Sequence, residues 1–423
     1  MIRIIDYTKD KTLIFDRLME KEDVGDTVRA ILDDVRKRGD VALREYTFRF
    51  DRALVEDARV SEEEIGEAFL KVETEFLNIL RKAASNIRSF HEKQKREGFR
   101  FEREEGVVLG QKVMPIENIG LYIPGGTAAY PSTVLMNAIP AKIAGCRRIV
   151  LISPPQEDGK VDPLIVAAAK IAGVDEIYKV GGAQGIAALA YGTKTIRKVD
   201  KIVGPGNKYV AEAKRQVFGM VAIDMIAGPS EILVISDENS DPRFLAADML
   251  SQAEHDADAS AVLITDSKKL AAEVQNEIEN LLPGLERESI ARASIERHGK
   301  IIVVESLDEA MDVANEIAPE HLELQLDDPF TWLDKVRNAG SVFLGRNCPE
   351  AMGDYYAGPN HTLPTSGTAK FSSPLSVDDF IKKTQYIYYS DEALSRDYSD
   401  VASFAEKEGL TGHALSARIR NEG

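Results

Sequence analysis

Residues 57–98 carry apolar side chains at helical spacing, with Phe69, Val72, Phe76, Leu77 and Leu80 on one face. The rest of that segment is dense in Glu, Lys and Arg, a solvated face and not a binding patch. From about residue 116 the pattern changes. Short apolar runs at 119–123, 148–152, 176–180 and 200–203 predict strands, and 132–144, 162–172, 183–191 and 207–217 predict helices. The rhythm restarts after Ala227-Gly-Pro-Ser, with strands expected at 231–236, 261–265, 300–304, 321–324 and 341–344. Helices are expected there at 242–253, 267–281, 307–317 and 328–337. Alternation with short links predicts parallel sheets covered on both faces. The chain reads as α/β, with two open parallel-sheet domains built from tandem βα units and helical extensions at both ends. No residue-level repeat marks a duplication. The boundaries drawn are an N-terminal extension at 1–18, one α/β domain of 19–120 with 230–375, another at 121–229, and a helical, charged tail at 376–423.

Composition narrows the class. A chain of 423 residues exceeds what one hydrophobic core usually supports, in keeping with two units. Apolar residues make up 44% and charged residues 29%, ordinary for a soluble globular protein. The net charge is −17 without a basic stripe, which argues against nucleic acid and anionic membranes as partners. No apolar run is long enough to span a bilayer, and the N-terminus shows no export signal. Two cysteines, Cys146 and Cys348, are too few for a disulfide framework or a cysteine zinc site. The cytoplasm is the expected compartment.

Three glycine-rich loops directly follow strands of the 121–229 unit: Pro124-Gly-Gly-Thr, Gly181-Gly-Ala-Gln and Gly204-Pro-Gly-Asn. In an open parallel sheet such loops line the carboxyl edge, where ligands bind. Glycines let the backbone approach a phosphate, and the following helices offer free N–H groups. A nucleotide site across these loops is expected in a Rossmann-like unit. Neither the G-x-G-x-x-G fingerprint nor the P-loop lysine signature is present.

The chain has six histidines, and four of them sit beside carboxylates, amides or loop-forming Gly and Pro: His255, His321, His361 and His413. Imidazole titrates near neutrality and is a common zinc ligand. Gln252 and His255 are three residues apart at the end of a predicted helix and share a face. By spacing alone Glu254 or Asp256 would serve as well as Gln252, since an amide oxygen is an unusual zinc ligand. Asp354 follows a strand in a glycine-rich loop, and His413 could join only through folding or a partner subunit. Glu320 and His321 form a titratable pair at a helix-to-strand corner, suited to divided acid and base duties. That corner leads into a strand, whereas open-sheet sites favour the loops that leave strands.

With these segments in view, the chain resembles the histidinol dehydrogenase family over essentially its whole length, most densely from about 116 to 366. The shared motifs are Gly120-Leu-Tyr-Ile-Pro-Gly-Gly, Val180-Gly-Gly-Ala-Gln, Gly204-Pro-Gly-Asn, Ala227-Gly-Pro-Ser-Glu, Ser251-Gln-Ala-Glu-His, Pro319-Glu-His-Leu, Gly353-Asp-Tyr and Leu410-Thr-Gly-His. The resemblance implies oxidation of L-histidinol to L-histidine in two NAD-dependent steps, through an aldehyde held on the enzyme. It implies a homodimer with one zinc per subunit, held by Gln252, His255 and Asp354 with His413 of the other subunit. NAD contacts then fall on Tyr122, Gln184 and Asn207. Substrate contacts fall on Ser230, Gln252, His255, His321, Asp354, Glu408 and His413. Glu320 and His321 are the implied acid–base pair, with His361 close by. On this view 121–229 is the NAD-binding domain and the tail reaches the partner's site. Two rival functions are a zinc hydrolase using Glu320 as base and a non-catalytic dimer tied by zinc. The glycine loops and the matched motifs disfavour both.

Overall fold

The computed structural model describes residues 1–9, 11, 14, 23–125, 129–226 and 228–421. Gly126 and Thr127 of the first glycine loop, Ala227, and residues 15–18 of the N-terminal extension lie outside the described residues. Strand β1 (Arg3–Asp6) precedes four helices, α1 (Gly25–Arg38), α2 (Asp40–Asp51), α3 (Glu62–Lys71) and α4 (Thr74–His91). A hairpin of β2 (Phe99–Glu104) and β3 (Val107–Pro115) leads into the first α/β unit. That unit runs β4 (Asn118–Tyr122), α5 (Pro131–Ala144), β5 (Arg148–Ser153), α6 (Pro163–Ala172), β6 (Glu176–Lys179), α7 (Gly182–Tyr191), β7 (Lys201–Val203), α8 (Lys208–Val217), β8 (Ala222–Ile223). The second runs β9 (Glu231–Ser236), α9 (Pro242–Ala253), β10 (Ser260–Thr265), α10 (Lys268–Leu281), α11 (Glu288–Arg297), β11 (Lys300–Val303), α12 (Leu307–Ile317), β12 (His321–Gln325), α13 (Pro329–Leu333), β13 (Ser341–Leu344). The short α14 (Glu350–Met352), β14 (Ile381–Tyr389), α15 (Asp391–Lys407) and α16 (Thr411–Arg418) complete the chain.

The two units are wired alike. The first sheet has the order β6-β5-β4-β7-β8 and the second β1-β11-β10-β9-β12-β13, and every pair in both is parallel. Apart from the added edge strand β1, each places its first strand centrally and reverses direction beside it. The switch point of the first sheet lies between β4 and β7. Strands covered on both faces are apolar along their interior, and β5 and β9 are buried at every position, with polar residues only at their ends.

The helical segment grouped by sequence with 230–375 packs instead on the first sheet. Val28, Ile31, Val35 and Leu43 of α1 and α2 join α7 and α8 in one core, and Ile65, Leu80 and Ile87 of α3 and α4 join α5 and α6 in the other. The helical pattern of 57–98 forms two helices, α3 and α4. Ser61 starts α3 in a capping box with Glu64, and the chain turns extended at Val72. Glu64 also pairs with Lys179 at 3.0 Å, tying α3 to the end of β6.

The tail departs from the helical expectation. Residues 381–389 form β14, which pairs antiparallel with β3, itself paired with β2. The segment holds Thr384, Tyr386, Ile387, Tyr388 and Tyr389, residues that suit a half-buried strand, and β3 offers an open edge. Helix α13 covers five residues, shorter than the expected 328–337. Among the described residues, no helix is long and apolar enough to cross a membrane.

Leu121 is fully buried at the centre of the first sheet. Leu121→Ala should lower the free energy of unfolding by about 2–5 kcal/mol, measured by urea denaturation. A loss well below about 1 kcal/mol would show that the site collapses around the missing side chain.

Candidate active site

Glu320 and His321 stand at the amino-terminal edge of the second sheet. Helix α12 closes at Ala318 with a left-handed φ of 52°, and Pro319 keeps the chain from continuing as helix. His321 is the first residue of β12, and β12 runs beside β9. This register brings the backbone of Glu231 against the corner. Its N–H donates to Glu320 Oε2 at 2.8 Å, and its carbonyl accepts from His321 Nδ1 at 3.0 Å. Gly340 leaves room for the corner, since a Cβ there would lie 2.5 Å from the Glu320 carbonyl oxygen. Glu320 and His321 are 7% and 3% exposed, and Glu320 Oε2 lies 3.6 Å from His321 Nδ1.

A carbonyl can only accept, so the Nδ1 of His321 carries hydrogen and Nε2 faces the site. Nε2 lies 3.4 Å from Asp354 Oδ1 and 3.8 Å from Glu350 Oε1. His321, Glu350 and Asp354 offer ligand atoms within 4.8 Å of one another, a spacing that suits a metal ion. Asp354 is carried by the π-turn Gly353–Ala357, a feature frequent at functional sites. His361 donates from Nδ1 to the Asp354 carbonyl at 2.9 Å, and His255 donates from Nδ1 to the Ser251 carbonyl at 2.9 Å. The same device thus orients all three imidazoles, leaving each Nε2 for a ligand. Gln252, on the last turn of α9, is fully buried, and neither of its amide atoms has a hydrogen-bond partner. It lies close enough to Glu350 to favour that carboxylate, outside good hydrogen-bond geometry.

The electrostatics follow from burial. Loss of solvent pushes the Glu320 carboxyl up to about 8, with His321 pulling the other way. Burial opposes charge on His321, yet Glu320, Asp354 and Glu350 outweigh it and raise the imidazole to about 10. Burial and the Asp354 charge raise Glu350. Burial acts to raise Asp354 as well, but His321 and His361 hold it below the usual carboxylate range. Burial pushes His361 down. A buried concentration of carboxyl groups suits a cationic occupant, whether metal or ammonium.

Glu350 escaped the sequence reading. It lies four residues before Asp354, one helical turn away, so a shared face was readable from spacing. Behind it, Glu323 Oε1 accepts from the Glu350 N–H at 2.8 Å, and Gln325 Nε2 donates to both Asp248 (2.6 Å) and Glu323 (2.8 Å). This second layer of acids joins residues far apart in sequence, which no spacing rule reveals.

The glycine loops of the first sheet border a separate cavity of about 1070 Å³. Tyr122, Gln184 and Asn207 all line it. The Tyr122 hydroxyl accepts from the Gly182 N–H at 3.4 Å, at the start of α7. Asn207 caps α8, its Oδ1 accepting from Tyr209 (3.0 Å) and Val210 (3.2 Å). Gln184 is 1% exposed, and both its amide atoms lack a partner. The Gly204 loop is anchored from beneath. A Cβ at Gly204, where φ is 118°, would lie 2.1 Å from the Tyr122 carbonyl oxygen. Lys214 Nζ donates to the Gly204 carbonyl at 2.9 Å and pairs with Asp224, which accepts from the Gly204 N–H at 2.8 Å.

The sequence profile described as histidinol dehydrogenase matches residues 16–421. A histidinol dehydrogenase of Listeria monocytogenes is 56% identical over 395 residues, covering 93% of this chain and 92% of the relative. One from Clostridium acetobutylicum is 52% identical over 426 residues, covering 99% of each. The crystal structure of histidinol dehydrogenase from Elizabethkingia anophelis superposes with a TM-score of 0.94 at 42% identity, covering 99% of this chain and 97% of that one. The chain belongs to the histidinol dehydrogenase family. Neither a hydrolase nor a non-catalytic zinc dimer is favoured by that membership.

Of the residues that the family resemblance singles out, Gln252, His255, Glu320, His321, Asp354 and His361 belong to one neighbourhood, linked by the bonds and electrostatic contacts above. Ser230 adjoins it as the residue before β9. Tyr122, Gln184 and Asn207 meet at the cavity. His413 and Glu408 lie exposed at the C-terminal helices, and no hydrogen bond or ion pair joins them to either group among the described residues. The acid–base corner lies on the amino edge of its sheet. The loop preference that counted against it belongs to the other unit, whose carboxyl edge holds the cavity.

Lys214→Met would leave Asp224 buried without its counter-charge beneath the Gly204 loop. The expected loss of stability is about 3–5 kcal/mol in urea denaturation. The double variant Lys214→Met/Asp224→Leu should recover part of that loss. Equal losses in the single and double variants would mean that the ion pair does not anchor the loop.

Proposed function

We propose that this member of the histidinol dehydrogenase family performs both oxidations of L-histidinol to L-histidine in one assembled site, the aldehyde staying bound between them. Overall, L-histidinol, two NAD+ and water give L-histidine, two NADH and three protons. The carrying observation is the joint anchorage of Glu320 and His321 on Glu231, which leaves His321 Nε2 turned toward Asp354. In the first step His321, once a cation in the site offsets the carboxylates that hold a proton on it, accepts the hydroxyl proton as hydride leaves the carbon. In the second, Glu320 takes a proton from a water that attacks the aldehyde carbon; the hydrate then gives a hydroxyl proton to His321 as its second hydride leaves, and the carboxylic acid so formed ionises. A carboxyl raised to about 8 sits close to working pH, as an efficient base requires. NAD, when bound, supplies the hydride acceptor for each step. Tyr122, Gln184 and Asn207 would hold it, since the polar atoms of Gln184 lack internal partners and face a cavity of dinucleotide size.

The donor set fits zinc. His255 keeps Nε2 free, Asp354 is held ionised, and the Gln252 amide is buried without a partner. Zinc on Gln252, His255, Asp354 and the His413 of a second copy would offer a fixed point for the substrate's imidazole and amine nitrogens. Ser230, Glu408, His321 and the same metal-binding side chains would complete the substrate contacts. A homodimer is supported by the apolar surface of the tail and the antiparallel sheet, where Phe404, Leu415, Ile387 and Phe99 are exposed. Such a dimer would place His413 and Glu408 in the partner's site. The unpaired thiols Cys146 and Cys348 accord with the cytoplasm.

Division of labour is tested by separating the two steps. Glu320→Gln should impair aldehyde oxidation more than alcohol oxidation, whereas His321→Asn should slow both, by about 10²–10⁴. Wild-type enzyme should release two NADH per histidinol. Equal damage to both steps from Glu320→Gln, or accumulation of free aldehyde with one NADH, would contradict the scheme.

The shared site is tested by complementation. His255→Ala and His413→Ala homodimers should each be inactive. Refolding them together in equal amounts should yield about half mixed dimers, each with one intact site, and roughly a quarter of wild-type activity. Mixed dimers confirmed by mass but without activity would place His413 in its own subunit's site or outside the metal site.

A further inference from the structure

Asp51 is the last residue of α2, in the helical layer over the first sheet, and it lines the cavity together with Tyr122, Gln184 and Asn207. Its position is unfavourable in three ways. A carboxylate at a helix C-terminus meets the negative end of the helix dipole. The Oδ2 atom is buried, and no described residue donates a hydrogen bond to it. The next residue, Arg52, adopts a left-handed φ of 56°, a conformation that costs energy for a residue with a Cβ. Burial alone raises the Asp51 carboxyl to about 6. Its charge also acts on the Tyr122 hydroxyl, and both residues line the cavity. Among the described residues, no hydrogen bond to Oδ2 offsets these costs. A ligand bearing hydroxyl donors would.

We infer that Asp51 is a cofactor-recognition residue, whose buried oxygen accepts hydrogen bonds from ribose hydroxyls of the dinucleotide. This rests on the assignment of the cavity to NAD. The donor must be neutral or cationic, because a phosphate beside the carboxylate would repel it. A ribose diol offers two adjacent hydroxyls, a geometry that one carboxylate accepts from well. Two riboses are available, one on the adenosine side and one on the nicotinamide side. Asp51 comes from outside the α/β unit, which explains why the glycine loops alone did not point to it.

The test uses the zinc-loaded full-length enzyme. Asp51→Ala and Asp51→Asn are compared with Gln184→Ala as a control for the cavity itself. Asp51→Ala should raise the KM for NAD about 10- to 100-fold, the factor a lost hydrogen bond to a charged group carries, and leave kcat within about threefold. Asp51→Asn should melt at or above the wild-type temperature, since it removes an unpaired buried charge. Competitive inhibition by AMP and by nicotinamide mononucleotide then identifies the ribose, because only the fragment that meets Asp51 should weaken in the variant. A KM for NAD within about twofold of wild type in the Asp51 variants, with Gln184→Ala impaired, overturns the inference and leaves the cavity assignment standing. If Gln184→Ala also leaves the KM unchanged, the cavity assignment falls and the inference with it. A lowered melting temperature with reduced kcat, or a raised KM with both fragments binding normally, makes Asp51 a structural residue and overturns the inference.

Discussion

The backbone of Glu231 holds both members of the proposed acid–base pair. Its N–H fixes the Glu320 carboxyl and its carbonyl fixes the His321 imidazole. Neither bond would exist without the parallel pairing of β9 and β12, which sets the first residue of one strand against the entry to the other. The pairing lies in the middle of the second sheet, between cores that are apolar on both faces. Hydrophobic burial of those strands therefore decides the position of two groups that carry no hydrophobicity. The tautomer of His321 follows from the same bond, and with it the direction in which the imidazole can accept a proton.

Around that anchorage the site concentrates acid. Asp354 and Glu350 approach the same imidazole nitrogen, and Glu323 and Asp248 lie behind them. Buried carboxyl groups that close repel one another unless protons or cations lie between them. The second layer relieves part of this through Gln325, whose amide serves two carboxyl groups at once. The first layer remains short of positive charge. That deficit suits a zinc ion and an amine-bearing substrate, and it agrees with membership of the histidinol dehydrogenase family.

The two units share one wiring and use opposite edges. The first keeps its glycine loops and its cavity at the carboxyl edge, by the usual rule for open sheets. The second presents Glu320 and His321 at the amino edge. Residues 353–366 stitch the units together: Asn360 donates to the Met136 carbonyl of α5 at 2.6 Å, and the Ser366 N–H donates to Glu231 at 3.1 Å. The π-turn carrying Asp354 belongs to this stitch, so the acidic cluster depends on contact between the units.

The sequence alone determined the elements whose stability is local or strongly periodic. Apolar runs of strand length and amphipathic helices marked both α/β units, and Gly-rich turns marked the cavity edge, because burial and turn geometry leave direct traces in residue type. Motif similarity singled out Gln252, His255, Glu320, His321 and Asp354. Tertiary structure alone decided where those residues meet. It moved helices α1–α4 onto the first sheet, because several apolar faces compete for any amphipathic helix and only packing selects one. It turned the start of the tail into β14, because an open edge at β3 outweighed a charged, helix-like composition. It also brought Glu350 to His321 and Asp51 to the cavity that Tyr122 lines, since an unsatisfied buried oxygen becomes visible only when its neighbours are known.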